Sequence, residues 1–213
     1  MNSANTERGH LFVIAAPSGA GKTTLVHRLL RENRNLRFSV SYTTRPRRST
    51  ETNGVDYHFV LPEVFQTMVD AGDFLEHANV FDYQYGTSKT KVEALLNKGH
   101  NVMLEIDWHG AQQVRKHMPD CRSIFIMPPS VDELKRRLTS RGSDSPAVIE
   151  RRFRDAIEDM SHWQEFDYTV INEDLEKAAA ELSAIIRGKV SRNATSETIT
   201  VKRVNAILGL SEA

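Results

Sequence analysis

The chain has 213 residues, 39% hydrophobic and 26% charged, which is enough apolar content for one well-packed domain and too much for wholesale disorder. Lysine plus arginine and aspartate plus glutamate both number 28, so the formal net charge is zero and no whole-molecule field draws the protein to a nucleic acid or an anionic membrane. The one cysteine, Cys121, excludes an internal disulfide and a thiolate-rich metal centre.

The stretch from Met1 to His10 is polar, without an apolar signal core, and no apolar run approaches the ~20 residues of a membrane span. A reducing, cytoplasmic setting is expected. Leu11 to Ala16 is a short apolar run ended by Pro17-Ser18-Gly19-Ala20-Gly21, which predicts a strand and then a loop. From Thr23 the period changes: Leu25, Val26, Leu29 and Leu30 fall on one helical face. Helices are predicted over Glu63 to Ala71, with Val64, Phe65, Met68 and Val69 as the buried stripe, and over Lys89 to Asn97, with Val92, Leu95 and Leu96. Val102 to Ile106, Ser123 to Met127 and Tyr168 to Ile171 read as buried strands. Ser130-Val131-Asp132-Glu133 spells a capping box, opening a helix through Leu134 and Leu138 to Gly142. Leu175 to Ile186 repeats helical spacing, and the tail from Lys189 is polar apart from Val204, Ile207 and Leu208. Strands alternating with helices predict an α/β fold around a parallel sheet.

Ala16-Pro17-Ser18-Gly19-Ala20-Gly21-Lys22-Thr23 fits the Walker A pattern, with Ala16 where the first glycine is usual. Such a loop turns backbone amides toward phosphate oxygens, its glycines allow close approach, and the following helix adds its positive end. Pro17, Ser18, Gly19, Ala20, Gly21, Lys22, Thr23 and Thr24 are therefore candidate ATP contacts. Lys22 is assigned to the transferred phosphates, and Thr23 to a bridging Mg²⁺. By itself the loop names a user of ATP or GTP, not the acceptor.

Ser41-Tyr42-Thr43-Thr44-Arg45-Pro46-Arg47-Arg48, then Asn53 to Phe59, Gly72-Asp73-Phe74-Leu75-Glu76 and Tyr83-Gln84-Tyr85-Gly86-Thr87 follow in order. With these motifs the chain closely resembles guanylate kinases from about Leu11 to Arg187. The resemblance implies a three-layer nucleotide-kinase core with a parallel sheet, an inserted GMP-binding lobe and a helical lid. It also implies transfer of the γ-phosphoryl group of MgATP to GMP, with dGMP a second acceptor. Arg45 and Arg48 match the family's acceptor-phosphate arginines, whose planar forks suit phosphate, and Tyr57 and Tyr85 would bond the same phosphate. Glu76 and Asp107 match its guanine-reading carboxylates, with Ser41 and Thr87 as hydroxyls at the guanine edge. Guanine's adjacent N1 and N2 donors suit a carboxylate, whereas adenine's N1 acceptor would be repelled. Asp107, closing a strand, is also a candidate to reach Mg²⁺ through water.

Arg137 and Arg141 match lid arginines and Arg152 a third, cations that phosphoryl transfer needs around the equatorial oxygens. Asn172 resembles a residue lining the adenine site. Arg136 and Arg151 read as solvated neighbours. The implied organisation is one domain over 1–213: core 10–40, 98–130 and 165–188, GMP lobe 41–90, lid 131–160 and tail 189–213. The partners implied are GMP and ATP, without nucleic acid or membrane, and the tail segment Thr198 to Val204 is a candidate for pairing with a second copy. Two rival readings are a related kinase with another phosphorylated acceptor, such as a ribose bisphosphate, and a non-catalytic scaffold module that binds phosphopeptides. Glu76 with its hydroxyls argues against the first, and an intact Lys22 and Thr23 against the second.

Overall fold

The computed structural model describes residues 7–80, 82–140, 145–189 and 192–210. The elements run β1 (Leu11–Ala15), α1 (Lys22–Glu32), β2 (Leu36–Phe38), β3 (Tyr42–Thr43), β4 (His58–Phe59), α2 (Pro62–Asp70), β5 (Phe74–Val80), β6 (Tyr83–Ser88), α3 (Lys89–Asn97) and β7 (Asn101–Glu105). They continue with α4 (Trp108–His117), β8 (Arg122–Met127), α5 (Val131–Thr139), α6 (Pro146–Ser161), β9 (Tyr168–Ile171), α7 (Leu175–Ile186) and α8 (Thr198–Leu208). One sheet has the order β2-β7-β1-β8-β9, and β2 with β7 and β8 with β9 pair in parallel. This is the predicted α/β architecture, with the anticipated strands shifted by a residue at most.

By the density of their contacts the residues fall into two units. One gathers Asn35–Leu104 and His109–Cys121 with the chain up to Phe12, the other Val13–Arg34 and Glu105–Trp108 with the chain from Arg122 onward. The first holds a second sheet of order β4-β3-β6-β5, with β6 antiparallel to both neighbours. Its core stacks Phe65 of α2 on Phe74 of β5, ring centroids 4.7 Å apart. The second buries Ile14, Leu25, Ile124, Phe125 and Ile126 completely. Each such side chain is worth about 1.5–3 kcal/mol of transfer free energy.

Three local expectations change. Val64, placed on the buried stripe of α2, is 45% exposed, and only Phe65 of that stripe is fully buried. In the capping box Ser130 does accept from the Glu133 amide, at 3.1 Å, but the Glu133 carboxylate binds Arg136 and Arg137 instead of returning to Ser130. Two charge-assisted bonds outweigh one neutral amide. The tail also folds: α8 buries Thr200 and Val204, and Arg203 reaches Glu173 at 3.3 Å.

Candidate functional site

The glycine loop leaves β1 and runs directly into α1. Gly19 and Gly21 hold φ of 93° and 91°, a left-handed backbone that side chains rarely adopt. Gly21 is the N-cap of α1, and no side chain caps it, so the first-turn amides keep the arrangement that attracts phosphate. Helix α5 lies against the loop: a Cβ on Gly19 would meet the Leu134 and Leu138 side chains at 3.1–3.2 Å.

Lys22, the first residue of α1, donates its ammonium to the Ile106 carbonyl at 3.1 Å. Burial pulls its pKa below the ordinary lysine value, while Glu105, Asp107 and Asp159 pull it back up. The surrounding acids thus offset part of the cost of desolvating a cation. Thr23 Oγ1 donates to Glu105 Oε1 at 2.8 Å, which spends its proton and leaves its lone pairs for a hard cation. Among the described residues no group of three or more His, Cys, Asp or Glu side chains is placed to hold a metal. That donor set fits Mg²⁺, which takes one or two protein oxygens and draws its other ligands from water and substrate phosphates.

Two of the arginines expected in a lid, Arg137 and Arg152, reach this loop. Arg137 donates to Glu133 Oε1 at 2.8 Å, to the Ala20 carbonyl at 3.4 Å and to the Asn172 carbonyl at 3.3 Å. Glu133 is pulled down to about 2, first by Arg136 and then by Arg137. Arg152 Nη2 donates to Ser18 Oγ at 2.8 Å. Asn172, expected along the adenine site, spends its amide on the Ala20 carbonyl at 2.7 Å. Thr24 and Asp107 are exposed, and Arg141 lies outside the described residues.

The other unit gathers the expected acceptor residues apart from Asp107, which falls in the same unit as the glycine loop. A register shift between Phe74 and Glu76 sets Glu76 opposite Thr87 across β5 and β6, the kind of bulge that re-aims a side chain. Glu76 is 5% exposed and Thr87 fully buried. Thr87 Oγ1 donates to Glu76 Oε1 at 2.6 Å, and Ser41 Oγ lies 3.4 Å from Thr87 Oγ1. An ionisable acid this buried is uncommon and marks a site rather than a surface. Arg45 bonds Glu51 at 2.6 Å and the Pro46 carbonyl at 2.9 Å. Its guanidinium sits 5.5 Å from the Tyr57 ring centroid and 5.7 Å from that of Phe59, and Tyr85 also bonds it. Glu51 accepts in addition from the Arg48 amide at 2.8 Å, and Arg45 holds its carboxyl below the usual carboxylate range. The Arg48 side chain itself is exposed.

Four carboxylates escaped the sequence reading as tuning groups: Glu51, Glu105, Glu133 and Asp159. Glu133 alone carried a signal, as the last residue of the capping box. Asp159 is the one pushed upward: burial, then the Asp107 charge, lifts it to about 6 against the downward pull of Lys22. Its native pKa lies above the ordinary 3.8, so stability is lost as pH rises from about 4 to 6 and the penalty stays constant above that. Asp159→Asn should therefore raise the melting temperature at pH 7.5 and leave it nearly unchanged near pH 4. A change of equal size at both pH values would mean that the Asp159 charge is not the cause.

A family model described as guanylate kinase matches residues 8–189. The guanylate kinase of Alkalilimnicola ehrlichii is 51% identical over 201 residues, covering 94% of this chain and 99% of that one. That of Nitrosococcus oceani is 49% identical over 201 residues, covering 94% and 97%. Among solved structures, guanylate kinase from Anaplasma phagocytophilum superposes with a TM-score of 0.70 at 32% identity, covering 96% of this chain and 98% of that one.

Proposed function

We propose how these residues divide the work from the premise that the chain belongs to the guanylate kinase family and moves the γ-phosphoryl group of ATP onto GMP, giving ADP and GDP. The observation that carries the acceptor assignment is the buried array of Glu76, Thr87 and Ser41. Glu76 accepts from guanine's N–H groups, Thr87 and Ser41 adjust to the neighbouring edge, and Asp107 supplies the second carboxylate. Arg45 and Arg48, with Tyr57 and Tyr85, hold the GMP phosphate, and Glu51 keeps Arg45 in one orientation before it binds.

On the donor side the backbone N–H groups of the loop after Pro17, as far as Thr24, cradle the phosphates, and Lys22 lies along the β and γ oxygens. Thr23, and Asp107 through water, would hold Mg²⁺, which when bound would supply positive charge to offset that of the phosphates. A GMP phosphate oxygen attacks the γ-phosphorus in line, the bond from that phosphorus to the β–γ bridging oxygen breaks, and ADP leaves. The attacking oxygen is already anionic, so positioning and charge neutralisation carry the step without a general base. Arg137, Arg141 and Arg152 stabilise the equatorial oxygens and exclude water.

The family resemblance implies dGMP as a second acceptor, an expectation checked by offering it beside GMP. We place the reaction in the cytoplasm; among the described residues no helix is long and apolar enough to cross a membrane. The test is ADP formation from MgATP with GMP, AMP, CMP, UMP or no acceptor in parallel. Turnover should follow GMP alone. Equal turnover with AMP would remove Glu76 from guanine recognition, and GMP binding without turnover would point to a binding module.

A further inference from the structure

Asn172 follows β9 and is 5% exposed. Its backbone amide donates to the Met127 carbonyl at 2.8 Å, which fixes it to the end of β8. Its side-chain Nδ2 donates to the Ala20 carbonyl at 2.7 Å, and Arg137 reaches that same carbonyl and the Asn172 carbonyl. A Cβ on Gly21 would stand 2.5 Å from Asn172 Nδ2 and 3.8 Å from its Cγ, so the amide meets the loop by its nitrogen end.

We propose that Asn172 is a positioning residue that pins the phosphate loop through the Ala20 carbonyl, with Arg137 closing the same ring. A peptide unit is planar and trans, so its C=O and the following N–H point in opposite directions. Holding the Ala20 oxygen toward Asn172 therefore turns the Gly21 N–H the other way, as an anion cradle requires. Gly21 is permissive enough for this peptide to flip, and a flipped peptide would present an oxygen where phosphate must bind.

The inference rests on the loop being the donor-phosphate site, and inorganic tripolyphosphate separates its parts because it has phosphates and no base. Calorimetric titration of Mg-tripolyphosphate, MgATP and GMP into wild type, Asn172→Ala and Asn172→Asp is the experiment. Aspartate keeps the shape but sets an acceptor against the carbonyl, and alanine removes the group, so either variant reports if the other does not fold. The expected result is a roughly tenfold or greater loss for tripolyphosphate and ATP alike, with GMP affinity within about twofold of wild type. In turnover, KM for ATP should rise by the same factor while KM for GMP does not. Weakened ATP with unchanged tripolyphosphate binding would make Asn172 a base reader and overturn the proposal. Wild type that binds ATP but no tripolyphosphate would instead overturn the phosphate role of the loop, and the clamp with it.

Discussion

Lys22→Met should lower kcat for GMP phosphorylation by about a thousandfold, the scale expected when one preorganised charge facing a developing anion is lost. Methionine keeps the length and most of the volume, so the loss isolates the ammonium. That ammonium is fixed before substrate arrives: it is bonded to the Ile106 carbonyl and surrounded by Glu105, Asp107 and Asp159. A second consequence follows from those acids. With their cation gone, Asp159 loses the one pull that holds it down, so it is protonated at still higher pH. The variant should therefore melt lower relative to wild type at pH 8 than at pH 5. Steady-state kinetics with saturating GMP read the first effect, and a kcat within tenfold of wild type would take Lys22 out of the transfer step.

Glu76→Ala should cut kcat/KM for GMP by about a hundredfold or more while KM for ATP stays within about twofold, because it removes one partner of a desolvated, charge-assisted contact. The carboxylate is buried beside a fully buried Thr87 whose hydroxyl it accepts, so truncation also strands a donor. Thr87→Val leaves the acid in place and should cost less. Equal loss of ATP and GMP binding in Glu76→Ala would mean that the substitution damages the fold instead of the guanine contact.

What could be read in advance follows from where the information lies along the chain. The run Leu11–Ala15, the glycines after it and the helix Lys89–Asn97 were legible because local period and local chemistry agree there. Strands β3 and β4, of two residues each, are too short for alternation to show. In β5 and β6 the inward positions include Glu76 and Thr87, so buried polar side chains break the apolar pattern. Helix α4 buries Gly110, Ala111 and Val114, and α8 only Thr200 and Val204; small or polar residues give a weak stripe. Acceptor residues were named through the resemblance, motif by motif. Glu105 and Asp159 were not, because their roles depend on distances to Lys22 that no spacing in sequence encodes.

Ala20 and Asn172 are 152 residues apart in the chain. The ribosome finishes the loop early, yet the side chain that orients it emerges only after β8 and β9 have been made. At about 5–20 residues per second, that interval is roughly 8–30 s. During it the nascent chain carries the whole phosphate loop without its clamp, so it should bind ATP poorly until β9 docks. ATP can then stabilise the loop only late in synthesis, once most of the sheet exists, and truncated products ending before Asn172 should not compete for the cell's nucleotide pool.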